Sequence, residues 1–219
     1  MTRREIKVYQ NLMGENEKWA AKTRSVLAEM GITMLNIIGS PGSGKTAFLE
    51  KLAKEIAAEI PFAVLEGDIA TTRDAERLTE KGIPTSQLLT NGACHLEAKL
   101  VHTALLDLPL DTLRLVIVEN VGNLVCPAEF DIGEHAKIAA LSVTEGEEKP
   151  VKYPLLFTEA QAVFITKVDL LPHLQFDIET CIQAIKQINP TVPVLQVSPL
   201  THQGMDECVS WITDFVIHE

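Results

Sequence analysis

The sequence predicts an α/β fold: a mainly parallel β-sheet with helices on both faces. Three observations predict it. Short apolar runs alternate with segments of helical periodicity along the 219 residues, as in repeated strand–helix units. The clearest runs, MLNIIG (34–39), FAVLEGD (62–68) and LRLVIVEN (113–120), are mostly apolar without alternation, so both of their faces need cover. The notable polar motifs fall at the ends of such runs, where ligands sit in parallel sheets.

The elements follow in order. Residues 4–30 are charged and Pro-free, with apolar residues at roughly helical spacing and Gly31 as a stop. We read 1–30 as an N-terminal helical segment ahead of a single domain over 31–219. MLNIIG is the first strand, 45–59 an amphipathic helix, and FAVLEGD the second strand. DAERLTEKG (74–82) is a helix with a glycine stop, SQLLTNG (86–92) a strand, and HLEAKLVHTALLDL (95–108) a helix. LRLVIVEN and AVFITKVD (162–169) are buried strands, and TEGEEKPVKYP (144–154) is a polar surface excursion between them. IETCIQAIKQIN (178–189), VPVLQVS (192–198) and GMDECVSWITDFVIHE (204–219) complete the chain as helix, strand and helix.

Composition bounds the function. Hydrophobic content of 46% with 5% aromatics suits one domain with a full core. A net charge of −11 argues against nucleic acid and anionic membrane as partners. No run approaches the roughly 18 apolar residues of a membrane span, and MTRREIKVYQ lacks the apolar stretch of a signal peptide. A cytoplasmic location is expected.

Gly39-Ser40-Pro41-Gly42-Ser43-Gly44-Lys45-Thr46 fills the pattern G-x-x-x-x-G-K-[ST] between a strand and a helix. Gly39, Gly42, Ser43 and Gly44 let the backbone turn its N–H groups toward phosphates, and the helix start adds its dipole. Lys45 should reach the β- and γ-phosphates and the Thr46 hydroxyl should hold Mg²⁺. The fold is thus that of a P-loop NTPase. Glu119, ending LVIVE, takes the place of the usual metal-side aspartate, and Gly122 offers a backbone N–H to the γ-phosphate. Asp68 is a second carboxylate aimed at the same crevice.

Thr166-Lys167-Val168-Asp169 resembles the N-K-x-D signature of guanine recognition. Its aspartate accepts from guanine N1 and N2, which adenine cannot match, and the lysine stem lies along the base. Ser198 ends the last strand where a further base-contacting loop is expected. GTP and GDP are the expected nucleotides.

Four cysteines are too few and too scattered for a disulfide framework. Cys181 and Cys208 fall within amphipathic helices and read as core thiols, and His102, His173, His202 and His218 as packing or surface residues. Cys94-His95 and Cys126 differ, because Cys126 lies just downstream of Gly122. Thiolate and imidazole suit Zn²⁺ or Ni²⁺. Three ligands per chain are incomplete, so a two-fold homodimer sharing the site would finish it.

GSPGSGKT, LEGDIATTRDAERL, NGACHLEA, ENVGNLVCPAEFDIGE, VTEGEEKPVKYP and ITKVDLLP occur in that order over residues 30–219. Together they resemble the hydrogenase nickel-insertion GTPases of the HypB family. The urease accessory GTPases are similar in the loop but carry a Cys-Pro-His motif absent here. The resemblance implies a GTP-dependent dimer that delivers nickel to the [NiFe]-hydrogenase large subunit with a HypA-type metallochaperone. It implies Cys94, His95 and Cys126 as interfacial metal ligands, Lys45 and Thr46 on phosphates and Mg²⁺, and Asp68 and Glu119 completing the switch. Lys167 and Asp169 would read guanine. Residues 1–30 contain neither Cys nor His, so no metal site is expected within them. A metal-binding scaffold with a structural nucleotide and a small-molecule kinase are the competing readings.

Overall fold

The structure, a computed structural model, describes residues 3–68, 73–90 and 92–218, with side chains from residue 13 onward. The stretch IATT (69–72) of the LEGDIATTRDAERL motif and Asn91 of NGACHLEA lie outside them. Elements run α1 (Arg3–Met30), β1 (Thr33–Gly39), α2 (Lys45–Ile56), β2 (Phe62–Asp68), α3 (Arg73–Glu80), β3 (Thr85–Leu89) and α4 (Ala98–Leu105). They continue with β4 (Leu115–Glu119), α5 (Cys126–Glu129), β5 (Ala136–Ser142), α6 (Lys149–Lys152), α7 (Pro154–Glu159), β6 (Ala162–Thr166), α8 (Ile178–Ile188), β7 (Val194–Val197) and α9 (Met205–His218).

The seven strands form one sheet in the order β3-β2-β4-β1-β5-β6-β7, and every pair is parallel. β1, at the centre, is buried along its whole length, which explains its predominantly apolar sequence. One face carries Leu35 and Ile37 against Phe48, Leu49 and Leu52 of α2 and Ile212 of α9. There Phe164 lies against Phe48 at 5.1 Å between ring centroids and meets Trp211 edge-on at 6.1 Å. The opposite face packs Met34 with Leu27 of α1 and Val101 and Leu105 of α4. Ile38 on that face packs with Ala128 of α5, Leu156 and Phe157 of α7 and Cys181 of α8. Cys181 and Cys208 are buried core thiols, as expected.

Four differences from the sequence reading have local causes. No strand was expected at β5, whose sequence AKIAALS is rich in Ala, a weak strand former. Pairing with β1 on one side and β6 on the other overrides that propensity. α4 begins at Ala98 rather than at 95, because Glu97 is extended (ψ 145°). The 144–154 excursion contains α6 and leads into α7, each with Pro in its first turn. β6 stops at Thr166, since Lys167 turns left-handed (φ 59°) into a 3₁₀ segment, Val168–His173.

Candidate functional site

The phosphate loop joins β1 to α2 beside β4, and its surroundings form a cleft of about 370 Å³ lined by Lys45, Thr46, Glu66, Asp68, Glu119 and Gly122. Gly44 stands at φ 90° ahead of α2, a left-handed conformation that a side chain would strain. Lys45 is buried and donates to the carbonyls of Gly39 (3.4 Å) and Ser40 (3.3 Å). Burial pulls its pKa down, and the Glu119 carboxylate opposes that pull. The Thr46 hydroxyl donates to Oε1 of Glu119 at 2.8 Å. Burial raises Glu119 to about 7, against the opposing effects of Lys45 and Thr46.

Oε2 of Glu119 is buried without a hydrogen-bond partner among the described residues. A carboxylate oxygen so placed, beside a hydroxyl, fits a hard divalent cation. Gly122 presses against the loop: a Cβ there would stand 2.6 Å from Cγ and 2.8 Å from N of Pro41. Only a glycine allows the segment after β4 to lie so close to the phosphate loop.

At the far side of the loop, the Thr166 hydroxyl donates to the Ser43 carbonyl at 2.6 Å. Lys167 Nζ donates to the Gly42 carbonyl at 2.6 Å. Thr166 therefore ties the end of β6 to the phosphate loop, a role that its place in the TKVD motif alone does not reveal. Asp169 follows in the 3₁₀ segment. Ser198, just beyond β7, donates from its backbone N–H to Gln203 O (2.8 Å) and accepts from Thr201 N at its hydroxyl (3.3 Å).

Cys94, His95 and Cys126 come together, with one ligand atom from each within 4.8 Å of the others. The Cys94 thiol donates to Cys126 Sγ at 2.9 Å and lies 3.7 Å from His95 Nδ1. The Cys126 side chain, then burial, raises the Cys94 thiol, while burial lowers His95 and favours its neutral, ligating form. Two neighbours brace the cluster. Asn123 Nδ2 donates to the Cys94 carbonyl (2.9 Å), while its Oδ1 accepts from Val125 N (2.9 Å). The Phe130 ring stacks on His95 with 3.8 Å between centroids. Phe130 caps α5, whose first residue is Cys126, so one short helix carries one thiol of the cluster and the ring stacked on its imidazole.

Residues 33–196 match the family model described as CobW/HypB/UreG, nucleotide-binding domain. The hydrogenase maturation factor HypB of Azotobacter vinelandii is 44% identical over 211 residues, 95% of this chain and 69% of that protein. The crystal structure of Helicobacter pylori HypB in complex with nickel superposes with a TM-score of 0.89 at 35% identity, covering 93% of this chain and 96% of that one. That of Archaeoglobus fulgidus hydrogenase maturation factor HypB gives 0.88 at 33%, covering 93% and 100%. The chain belongs to the HypB family.

In this HypB-family chain the structure brings some of the sequence-predicted residues into one cleft and others into one cluster, while Gly39, Ser43, Lys167, Asp169 and Ser198 line neither. Lys45, Thr46, Asp68, Glu119 and Gly122 share the cleft; Cys94, His95 and Cys126 share the cluster. The sequence reading missed Glu66, Asp74 and Arg77 in the cleft wall. Glu66 is in register with Glu119 on the neighbouring strand, and burial followed by the Glu119 charge pushes it to about 8. Its position two residues before Asp68 puts it on the same side of β2, a period-2 signal available from sequence. Asn123 and Phe130 were missed beside the Cys94–His95–Cys126 cluster; Phe130 lies four residues after Cys126, one helical turn away.

Proposed function

We propose that this chain is a GTP-hydrolysing metallochaperone that delivers nickel during [NiFe]-hydrogenase maturation. One observation carries the reading: ten residues, 120–129, join β4 to Phe130 and include both Gly122, against the phosphate loop, and Cys126, in the Cys94–His95–Cys126 cluster. A displacement of Gly122 is therefore passed directly to a metal ligand.

Phosphates would lie along the loop, with Lys45 leaving its carbonyl partners for the β- and γ-oxygens. Thr46, Glu119 and Asp68 would hold Mg²⁺, which neutralises charge on the phosphate oxygens. Asp169 and Lys167 would hold guanine. Water attack on the γ-phosphate gives GDP and phosphate, and Gly122 loses the oxygen that its N–H contacts. Nickel is the cargo; Zn²⁺ fits the same ligands.

Cys94 is exposed, and Val125, beside Cys126, is 48% exposed. That openness favours a homodimer in which two copies complete the coordination, formed in the GTP state and opened after hydrolysis. A HypA-type metallochaperone and the hydrogenase large subunit, reached directly or indirectly, are the proposed partners.

Paired substitutions test this. Lys45→Ala should abolish nucleotide binding, whereas Cys126→Ala should spare it and weaken Ni²⁺ binding. Full Ni²⁺ affinity in Cys126→Ala would remove the ligand assignment. A complete lack of GTP turnover, with and without partner, would favour a scaffold with a structural nucleotide.

A further inference from the structure

A line of polar side chains crosses the apolar face of the sheet. Asn36 of β1 is fully buried between Met34, packed on α1, and Ile38, packed on α5. Asn120 and Glu134, also buried, flank it. Glu134 Oε1 accepts from Asn36 Nδ2 (3.1 Å), and its Oε2 accepts from Ile132 N (2.8 Å). Asn36 Oδ1 accepts from Asn120 Nδ2 (3.1 Å), and Asn120 Oδ1 accepts from Val121 N (3.0 Å).

The order of donors and acceptors is forced. A carboxylate only accepts, so Asn36 must turn its amide nitrogen to Glu134 and its oxygen to Asn120. Asn120 then has only its own oxygen left for Val121. No member can turn without unpairing its neighbour, in surroundings where an unpaired polar group is strongly disfavoured.

The two ends lie at the two sites. Val121 precedes Gly122, which touches Pro41 of the phosphate loop. Ile132 follows Asp131, whose carbonyl accepts from Asn16 Nδ2 at 2.6 Å. Asn16 Oδ1 accepts from Ala98 N at 2.9 Å, three residues after His95. Phe130, stacked on His95, adjoins Asp131. Asn16 thus clasps both metal-bearing segments to α1.

We propose that Asn36, Glu134 and Asn16 are positioning residues that couple the Val121–Gly122 segment to His95 and Phe130 by a route that bypasses Cys126. The inference rests on the nucleotide–metal coupling proposed above. Neither Asn36, Glu134 nor Asn16 touches nucleotide or metal in this assignment; each acts through the segment that it holds.

The test is Ni²⁺ affinity by chelator competition, in GDP and in a non-hydrolysable GTP analogue, for the full chain and for Asn36→Leu and Asn16→Ala. The readout is the ratio of the two affinities, which a purely structural role would leave unchanged. The wild-type ratio should differ from one, and in both variants it should shrink toward one by roughly threefold or more. Nucleotide affinity should stay within about twofold of wild type. Asn16 belongs to the outer helix, so its variant decides the matter if Asn36→Leu does not fold. A wild-type ratio retained in the folded variants overturns the polar route alone. A wild-type ratio of one overturns the coupling itself and the route with it.

Discussion

The Thr46 hydroxyl and the Glu119 carboxylate, 73 residues apart in sequence, meet at 2.8 Å, and this contact joins the phosphate loop to the segment leading to Cys126. Replacing Thr46 by Val removes the hydroxyl at nearly constant volume. Hydrogen bonds to charged groups contribute about 1.5–3 kcal/mol, so Mg²⁺-dependent nucleotide affinity should fall roughly tenfold or more. Calorimetric titration of nucleotide with and without Mg²⁺ checks it. An unchanged Mg²⁺ dependence would remove Thr46 from the cation site.

Asp169 should set base choice. In Asp169→Asn the side chain presents a donor where guanine N1 and N2 need an acceptor. GTP affinity should drop by roughly two orders of magnitude, with a relative gain for xanthosine triphosphate. Equal losses for both nucleotides would mean that Asp169 shapes the loop rather than reads the base.

Phe130→Ala should leave the Cys94, His95 and Cys126 donors in place and free the His95 ring. Residues that orient metal ligands typically contribute 10- to 100-fold in affinity, so Ni²⁺ binding should weaken by about tenfold. Cys126→Ala should cost more. Competition with a calibrated chelator measures both; equal affinity in Phe130→Ala and wild type would show the stacking to be incidental.

These two sites differed in how far the sequence exposed them. GSPGSGKT and TKVD are contiguous, and each residue's task follows from chemistry local to it. Cys94 and Cys126 lie 32 residues apart, and they follow β3 and β4, the two strands that flank β2 in the sheet. Strand order is not written in periodicity. The same holds for Glu66, whose partner Glu119 is set by parallel register, and for Asn36, whose polar partners come from Asn120 and Glu134. β5 escaped notice because its alanines carry little strand preference, while its two neighbours supply the hydrogen bonds.

Acid should loosen α1. His102 of α4 hydrogen-bonds Thr23 through Nδ1 at 3.2 Å and lies 5.2 Å from the Trp19 ring centroid. Burial first, then the Lys22 ammonium, hold it below the ordinary 6.5. A depressed imidazole favours the neutral form in the folded chain. Its stabilising effect is therefore complete above the unfolded value and is lost as pH falls through the folded one. The melting temperature should decline on going from about pH 7 to about pH 5.5, and less steeply in His102→Gln. Parallel declines would assign the acid sensitivity elsewhere.

Nucleotide state is proposed to control metal binding at Cys94, His95 and Cys126. The most direct test of this control is equilibrium Ni²⁺ binding with molecular mass read in the same samples, in GDP and in a non-hydrolysable GTP analogue. The analogue should give tighter Ni²⁺ binding and a dimeric mass, with the gain lost in Cys126→Ala. Identical affinity, stoichiometry and mass in the two nucleotide states would contradict it.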